Sequence, residues 1–381
     1  MKTILNWRGC EFIEALAVFL GTIIGVGIFS LPYIALKAGF LVVLVYFFFL
    51  IILITVIHLL LAEVSRDTHK IARIPGYAEE YLGKNWGRFS LIVSSLGLIG
   101  ALLAYLILGG KFLALYFAPY FGGGEFFYTL LYFAFGAFLI YKGIKGIAKT
   151  EMIMVLTFVL ILLLFFSRGL PFFRLENLFG FNPHYLIFPY GAILFSLWGL
   201  SLVPEIKELV ERERKKLRLV IGSGIALAGL FYLFFIFIIL GVSGHQTSPD
   251  ALSGFALTIG DKIAPLGFIF GLLATFTSFI ALGLTLKKIF QYDLKLPEKT
   301  SLAFACFPPL FLYLIGVKNF IGVISLTGAV MLGLEAIIVI FIYKNFLAKR
   351  FQRQAPFWIY PLACIFVIGL IIQLISPVFP K

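Results

Sequence analysis

The stretch that decides the fold is Gly21-Thr-Ile-Ile-Gly25-Val-Gly27-Ile-Phe-Ser-Leu-Pro32. It sits inside an apolar segment running from about residue 11 to 36, long enough to cross a bilayer core of ~30 Å as a helix. Three glycines and a proline in twelve residues make poor continuous helix. Each interior glycine costs ~1 kcal/mol relative to alanine, and proline more. The segment therefore reads as a helix interrupted at its centre. A second apolar segment repeats the lesion in Phe195-Ser-Leu-Trp-Gly199-Leu-Ser-Leu-Val-Pro204, and both contain Gly-x4-Pro, at Gly27/Pro32 and Gly199/Pro204. Taken alone, Gly21-x3-Gly25 also fits a helix-packing motif. The recurrence at a second place favours a paired break.

The surroundings of these segments are a membrane protein. Of 381 residues, 61% are hydrophobic and 13% charged, against roughly 25% charged in soluble chains. Phe40 to Ala62 holds one side chain that ionises near neutral pH, His58, and Leu219 to Val242 holds none. Apolar blocks fall near 11–36, 40–65, 89–117, 126–142, 150–168, 186–205, 218–242, 263–288, 300–316, 319–343 and 356–378, which gives eleven spans. With the N-terminus inside, 24 lysines and arginines lie on cytoplasmic segments and 6 on the opposite side. The positive-inside rule then places the N-terminus in the cytoplasm and the C-terminus outside an inner membrane. The first apolar stretch lacks a small-residue cleavage site and is expected to stay. The net charge of +13 belongs to loops facing anionic lipid and carries no expectation of nucleic-acid binding. The charged run Glu205–Arg218 reads as a solvated extension of the sixth helix, and loop 66–88 as an interfacial segment without chemistry.

The whole chain, 1–381, reads as one transmembrane transporter domain. The two interrupted segments open two blocks of five spans, residues 10–169 and 186–344, with 356–378 appended. Five is odd, so the second block is inverted relative to the first. Paired interrupted helices at corresponding positions of inverted halves point to the binding site of a secondary transporter.

The residues also carry a family likeness. GTIIGVGIFSLPYIALKAGF (21–40) and FPYGAILFSLWGLSLVPEI (188–206) resemble the first and sixth helices of the amino acid/auxin permease family and its relative, the bacterial aromatic amino acid permeases. AYLILGGKFL (104–113) and TSFIALGLTL (277–286) extend the likeness more loosely to the third and eighth. The resemblance implies an all-α membrane fold of the LeuT type, five plus five inverted repeats with helices 1 and 6 broken, and an eleventh helix added. Lys111, inside the third span, departs from the family pattern and bears on the charge preferred in a substrate.

An amino acid presents a carboxylate and an ammonium in fixed relation, and a broken helix presents complementary ends. The outer half of the first span begins with amides at about Gly27, Ile28 and Phe29 that lack intrahelical acceptors and suit a carboxylate. Gly25 and Gly27 let the backbone approach closely. Carbonyls near Ile23 and Ile24, with those around Phe195, Ser196 and Leu197 beside Gly199, suit an ammonium. Tyr105, Phe195 and Trp198 are expected to line the side-chain pocket, and Tyr105 resembles the third-helix tyrosine of LeuT-type carriers, whose hydroxyl reaches the carboxylate. With 45 phenylalanines and 17 tyrosines, plain core packing is the alternative for these rings.

A cation site is expected beside this one. The hydroxyls of Thr277 and Ser278 hang over the turn holding the Ala274 carbonyl. With the carbonyls of Gly21 and Ile24, five oxygens could converge on one hard cation. The set resembles, residue by residue, the sodium site of sodium-coupled LeuT-type transporters. Some proton-coupled relatives place a fifth-span lysine there, and none occurs between Glu151 and Ser167. Back-bonding of Thr277 and Ser278 to carbonyls one turn earlier is the alternative.

Taken together, these features predict sodium-coupled import of a neutral or aromatic L-amino acid by alternating access, with no cofactor beyond the coupling ion. Proton coupling, a polyamine or nucleobase substrate, and a non-transporting sensor remain open. An enzyme is not expected: His58, His69, His184 and His245 lie on separate segments, and no HExxH, GxSxG or intramembrane carboxylate pair occurs. Cys10, Cys306 and Cys364 form no metal or disulfide pattern. Glu335, well inside the tenth span, reads either as an inner gate or as a carboxyl hydrogen-bonded to a neighbouring helix.

Overall fold

A computed structural model describes residues 10–68, 72–143, 147–210, 213–260, 264–292 and 294–375. Among them the secondary structure is entirely helical. Seven helices are long and apolar enough to cross a membrane, and a bent pair makes an eighth span. Three more, α6 (Glu125–Lys142), α13 (Glu298–Leu314) and α16 (Ile359–Ile375), correspond to the fourth, ninth and eleventh apolar segments of the sequence.

The bent pair is the first span. α1 (Cys10–Ile23) ends at the glycines, a 3₁₀ turn follows over Val26–Ser30, and α2 (Leu31–Ala38) completes the crossing with a bend of 47°. The sixth span breaks in the same way. α8 (Pro189–Ser196) stops, Leu200–Leu202 form a 3₁₀ turn, and α9 (Val203–Leu209) resumes. Gly-x4-Pro encodes both breaks. The chain is out of the α-helix at Gly25 and at Gly199, Gly27 lies within the 3₁₀ turn that follows the first break, and Pro32 and Pro204 sit in the first turn of the next helix, where a missing N–H costs nothing.

Between these lie α3 (Phe40–Asp67), a short α4 (Ile74–Leu82), α5 (Lys84–Phe121) and α7 (Ile147–Gly169). α10 (Arg214–Ser243), a short α11 (Leu252–Ile259) and α12 (Ala264–Tyr292) precede α13. The tenth span is α14 (Phe320–Leu326), a π-helical stretch Thr327–Leu332, and α15 (Gly333–Phe351). α5 runs through the middle, packed along α4, α6 and α12, while α10 holds α1 and α3.

One expectation fails. Glu205–Arg218 is not a continuous extension of the sixth helix: α9 ends at Leu209, and Arg214–Arg218 open α10, with 211 and 212 outside the described residues. The reason is Lys207. Instead of facing solvent it is fully buried, and its Nζ donates to the Ser65 carbonyl at 3.1 Å. That ammonium caps the C-terminal end of α3 and ties α9 down at its last turn. Loop 66–88 contributes α4, docked by Tyr77, whose hydroxyl donates to Ser65 Oγ at 2.9 Å.

Candidate functional site

The two breaks face each other at close range. A Cβ built on Gly27 would lie 2.9 Å from the Ser196 Cα, so glycine is required for the first span to touch the sixth. A Cβ on Gly25 would run into the Tyr105 hydroxyl. Gly25 itself is extended (φ −120°, ψ −152°), and its amide turns to the Ile23 carbonyl at 2.8 Å rather than to Gly21. No side chain caps the turn that follows, so its first amides are without helical acceptors.

Beside the breaks opens a cavity of about 100 Å³, room for several waters or a small ligand group. Ile23, Gly25, Gly27, Tyr105, Phe195, Ser196 and Trp198 form one end, and Ser94 and Glu335 stand in its wall. Arg73 and Pro204 border both this cavity and a wider recess of about 850 Å³, lined by Asp67, Glu79, Glu205, Lys288 and Arg350. The cavity thus reaches toward the face that carries loop 66–88. On the opposite face it is shut by rings: Phe29 stands 5.0 Å from Phe112 and 6.2 Å from Phe235 by centroids, and Phe112 stacks on Phe268.

Lys111 finds its role at that closed end. It pairs with Asp250, in the segment leading into α11, and does not line the central cavity. Asp250 is 1% exposed and also accepts from Ser248 Oγ and from the Ser253 amide and hydroxyl. Burial alone would raise its carboxyl. The Lys111 ammonium and these donors outweigh burial and hold it below the usual range.

The expected substrate residues divide. Ile23, Gly25, Gly27, Tyr105, Phe195, Ser196 and Trp198 share the cavity wall. Leu197 and Gly199 do not line it, and Gly199 packs on Ile23 and Phe19. Ile28 and Phe29 lie outside it too, Phe29 in the ring cluster. Of the carbonyls expected to hold an ammonium, those of Ile23 and Ser196 both face the Tyr232 hydroxyl, at 2.6 and 3.0 Å. Gly21, Ile24, Ala274, Thr277 and Ser278 come together around a separate cavity of about 10 Å³, with Met154, Val155, Phe158 and Phe270 opposite. That volume suits one water-sized occupant. Thr277 Oγ1 points at the carbonyls of Leu273 (3.1 Å) and Ala274 (3.3 Å), so back-bonding is present as well.

Comparison with known proteins fits this geometry. The profile of the tryptophan/tyrosine permease family matches residues 9–378. This chain belongs to that family. The tyrosine-specific transport system 1 of Haemophilus influenzae is 26% identical, covering 92% of this chain and 93% of its own length. Among solved structures, MhsT in complex with L-phenylalanine superposes with a TM-score of 0.69 at 16% identity, over 99% of this chain and all of its own. Mhp1, a nucleobase-cation-symport-1 family transporter with bromovinylhydantoin bound, gives 0.68 at 14%, over 96% and 90%. At such identities the structures show the fold alone, that of LeuT-type transporters. The permease is therefore a multi-span membrane transporter, and of the two relatives its sequence resembles, the aromatic amino acid permeases are the ones this assignment supports.

Three residues of the permease's site escape a reading of the sequence. His58, fully buried on α3, accepts the Gly199 amide on Nε2 at 3.1 Å and uses Nδ1–H on the Ile54 carbonyl at 2.8 Å. It satisfies an amide that the break in the sixth span leaves without a helical partner, and the two bonds fix its tautomer. Tyr232 bridges the two breaks from α10. Ser94 Oγ donates to Glu335 Oε1 at 2.5 Å, and Trp198 Nε1 to Oε2 at 2.9 Å. Glu335 therefore stands within the cavity wall and not beyond it. The one visible hint was His58, the sole ionisable group in a long apolar run.

Proposed function

We propose that this permease imports an aromatic L-amino acid by alternating access, its substrate seated where the first and sixth spans break. The observation that carries the reading is the convergence of both breaks, Tyr105 and Trp198 on one cavity. The uncapped amides at the start of the Val26–Ser30 turn would receive the carboxylate beside the Tyr105 hydroxyl. Phe195 and Trp198 offer faces to a ring. The name of the Haemophilus relative and the ligand of MhsT favour an aromatic side chain over a polyamine or nucleobase. The lysine and arginine count favours a cavity that opens inward, and in this reading the conformation is the one from which substrate leaves to the cytoplasm.

Sodium is the coupling ion in this reading. Gly21, Ile24, Ala274, Thr277 and Ser278 surround a space of the right size, and diversion of the Gly25 amide to Ile23 frees the Gly21 carbonyl from its usual partner. Proton coupling is the second reading. In its favour, Glu335 is a carboxyl in the cavity wall whose partners are the neutral donors Ser94 and Trp198. Uptake of labelled tyrosine and tryptophan into proteoliposomes decides the matter. Accumulation driven by a sodium gradient is expected. Equal uptake in choline buffer that collapses with a protonophore would replace sodium with protons, and no uptake of any aromatic amino acid would overturn the function.

A further inference from the structure

One acidic and one basic side chain, Glu335 and Arg73, line the central cavity. Arg73 is occupied at its edge, donating to the Thr285 carbonyl at 3.0 Å and standing 3.9 Å from Glu205. Glu335 is different. It is 5% exposed, lies in the first turn of α15, three residues past the π-helical stretch Thr327–Leu332, and has two neutral donors, one on each oxygen. π-Helical turns inside α-helices re-aim side chains and recur at functional positions. A carboxylate offers about four lone-pair positions, and the Ser94 hydroxyl and Trp198 indole fill two. Each oxygen keeps an acceptor in a cavity whose nearby wall is apolar: Val93, Gly97, Leu98, Met331 and Leu332. Water entering the cavity can serve these acceptors, and a ligand that displaces it must bring a donor of its own or leave them short of partners. One of the existing donors is itself an indole N–H, so the cavity already realises the geometry by which this carboxylate holds an aromatic donor.

We propose that Glu335, steadied by Ser94, is the specificity-determining residue of this permease. Its carboxylate accepts a hydrogen bond from the phenol O–H or indole N–H at the far end of the substrate's ring, and so separates tyrosine and tryptophan from phenylalanine. The proposal rests on the reading of the cavity as an aromatic amino acid site. A phenylalanine ring would cover the same acceptors and bring no donor. Sites built to bond a polar substrate group reject the analogue lacking it far more strongly than apolar pockets reject a missing methylene.

The test is the half-saturating concentration for uptake of tyrosine, tryptophan and phenylalanine in proteoliposomes, for wild type, Ser94→Ala, Glu335→Gln and Glu335→Met. Wild type is expected to favour at least one donor-bearing substrate over phenylalanine by roughly 30-fold or more. Glu335→Met should bring that ratio to within about threefold by weakening the donor-bearing substrate while phenylalanine stays unchanged. Glu335→Gln, which keeps one acceptor oxygen, should fall between, and Ser94→Ala should lower the ratio with the carboxylate still present. The last two carry the comparison if Glu335→Met does not insert. Equal weakening of all three substrates, with an altered pH profile, would make Glu335 a gate or an ammonium anchor and overturn the proposal. Wild type that takes all three alike would overturn it while leaving the aromatic site intact. Uptake of none would remove the site assignment itself.

Discussion

Gly25 and Gly27 meet different neighbours, and the difference separates two kinds of failure. At Gly25 a side chain meets the end of Tyr105, which can swing away. At Gly27 it meets the Ser196 backbone, which cannot. A side chain at Gly27 therefore fails by wedging the first and sixth spans apart, and not by filling the space of a carboxylate. Gly27→Leu is expected to abolish uptake in a protein that still inserts and runs as a single species, whereas Gly25→Ala retains measurable uptake with a raised KM. Overpacking of this kind costs ~1–3 kcal/mol. Paired transport and size-exclusion measurements check the order, and an inactive Gly25→Ala beside an active Gly27→Leu would reverse the assignment. His58 supplies a second prediction. Its loss leaves the buried Gly199 amide without an acceptor, at about 1–3 kcal/mol. His58→Leu should lower thermal stability and raise KM more than it lowers maximal rate, while His58→Gln, whose amide oxygen can reach Gly199, restores much of both.

Elements of this protein were legible in the sequence to the degree that their cause is local. A bilayer demands long apolar runs, so the spans showed themselves. A break needs glycine to leave a helix and proline to start another, so 21–32 and 195–204 showed themselves too. The end of the sixth span at Leu209 did not, because Lys207 folds back onto α3 and no local pattern announces a lysine that caps a distant helix. Tyr232 and His58 were hidden for the same reason: their partners lie on other spans. Phe29 shows the converse: the sequence singled out its backbone amide beside the break, and its side chain enters a ring cluster whose partners lie on other spans. The gathering of Gly21, Ile24, Ala274, Thr277 and Ser278 joins α1 to α12 and sets the prediction at this scale. Thr277→Ala/Ser278→Ala should raise the sodium concentration needed for half-maximal uptake at least about tenfold, each lost oxygen ligand being worth on the order of 1 kcal/mol. An unchanged sodium requirement would leave these hydroxyls to back-bonding alone.

Across the whole molecule the two faces differ: one is open and the other is sealed. The loop 66–88 face holds an open recess edged with charge. The other face is sealed by the Lys111–Asp250 pair and by Phe29, Phe112, Phe235, Phe268 and Phe270. Because the folded protein depresses the Asp250 carboxyl, the pair contributes stability above the ordinary carboxylate range and loses it as pH falls through the depressed value. Asp250→Asn should therefore be less thermostable than wild type at neutral pH, by about 1–3 kcal/mol, with the gap closing on acidification below about pH 4. A gap independent of pH would count against the pair. The phenylalanine seal has a consequence of another kind. Parting those rings exposes apolar surface to water, which carries a positive heat-capacity change, so the opening equilibrium bends with temperature instead of following one enthalpy. Such a seal weakens on cooling. The carrier's resting orientation is then partly a thermal quantity: a cold membrane releases the ring-sealed face more readily than the same membrane warmed, and the temperature plot of transport curves even where the lipid has no phase transition.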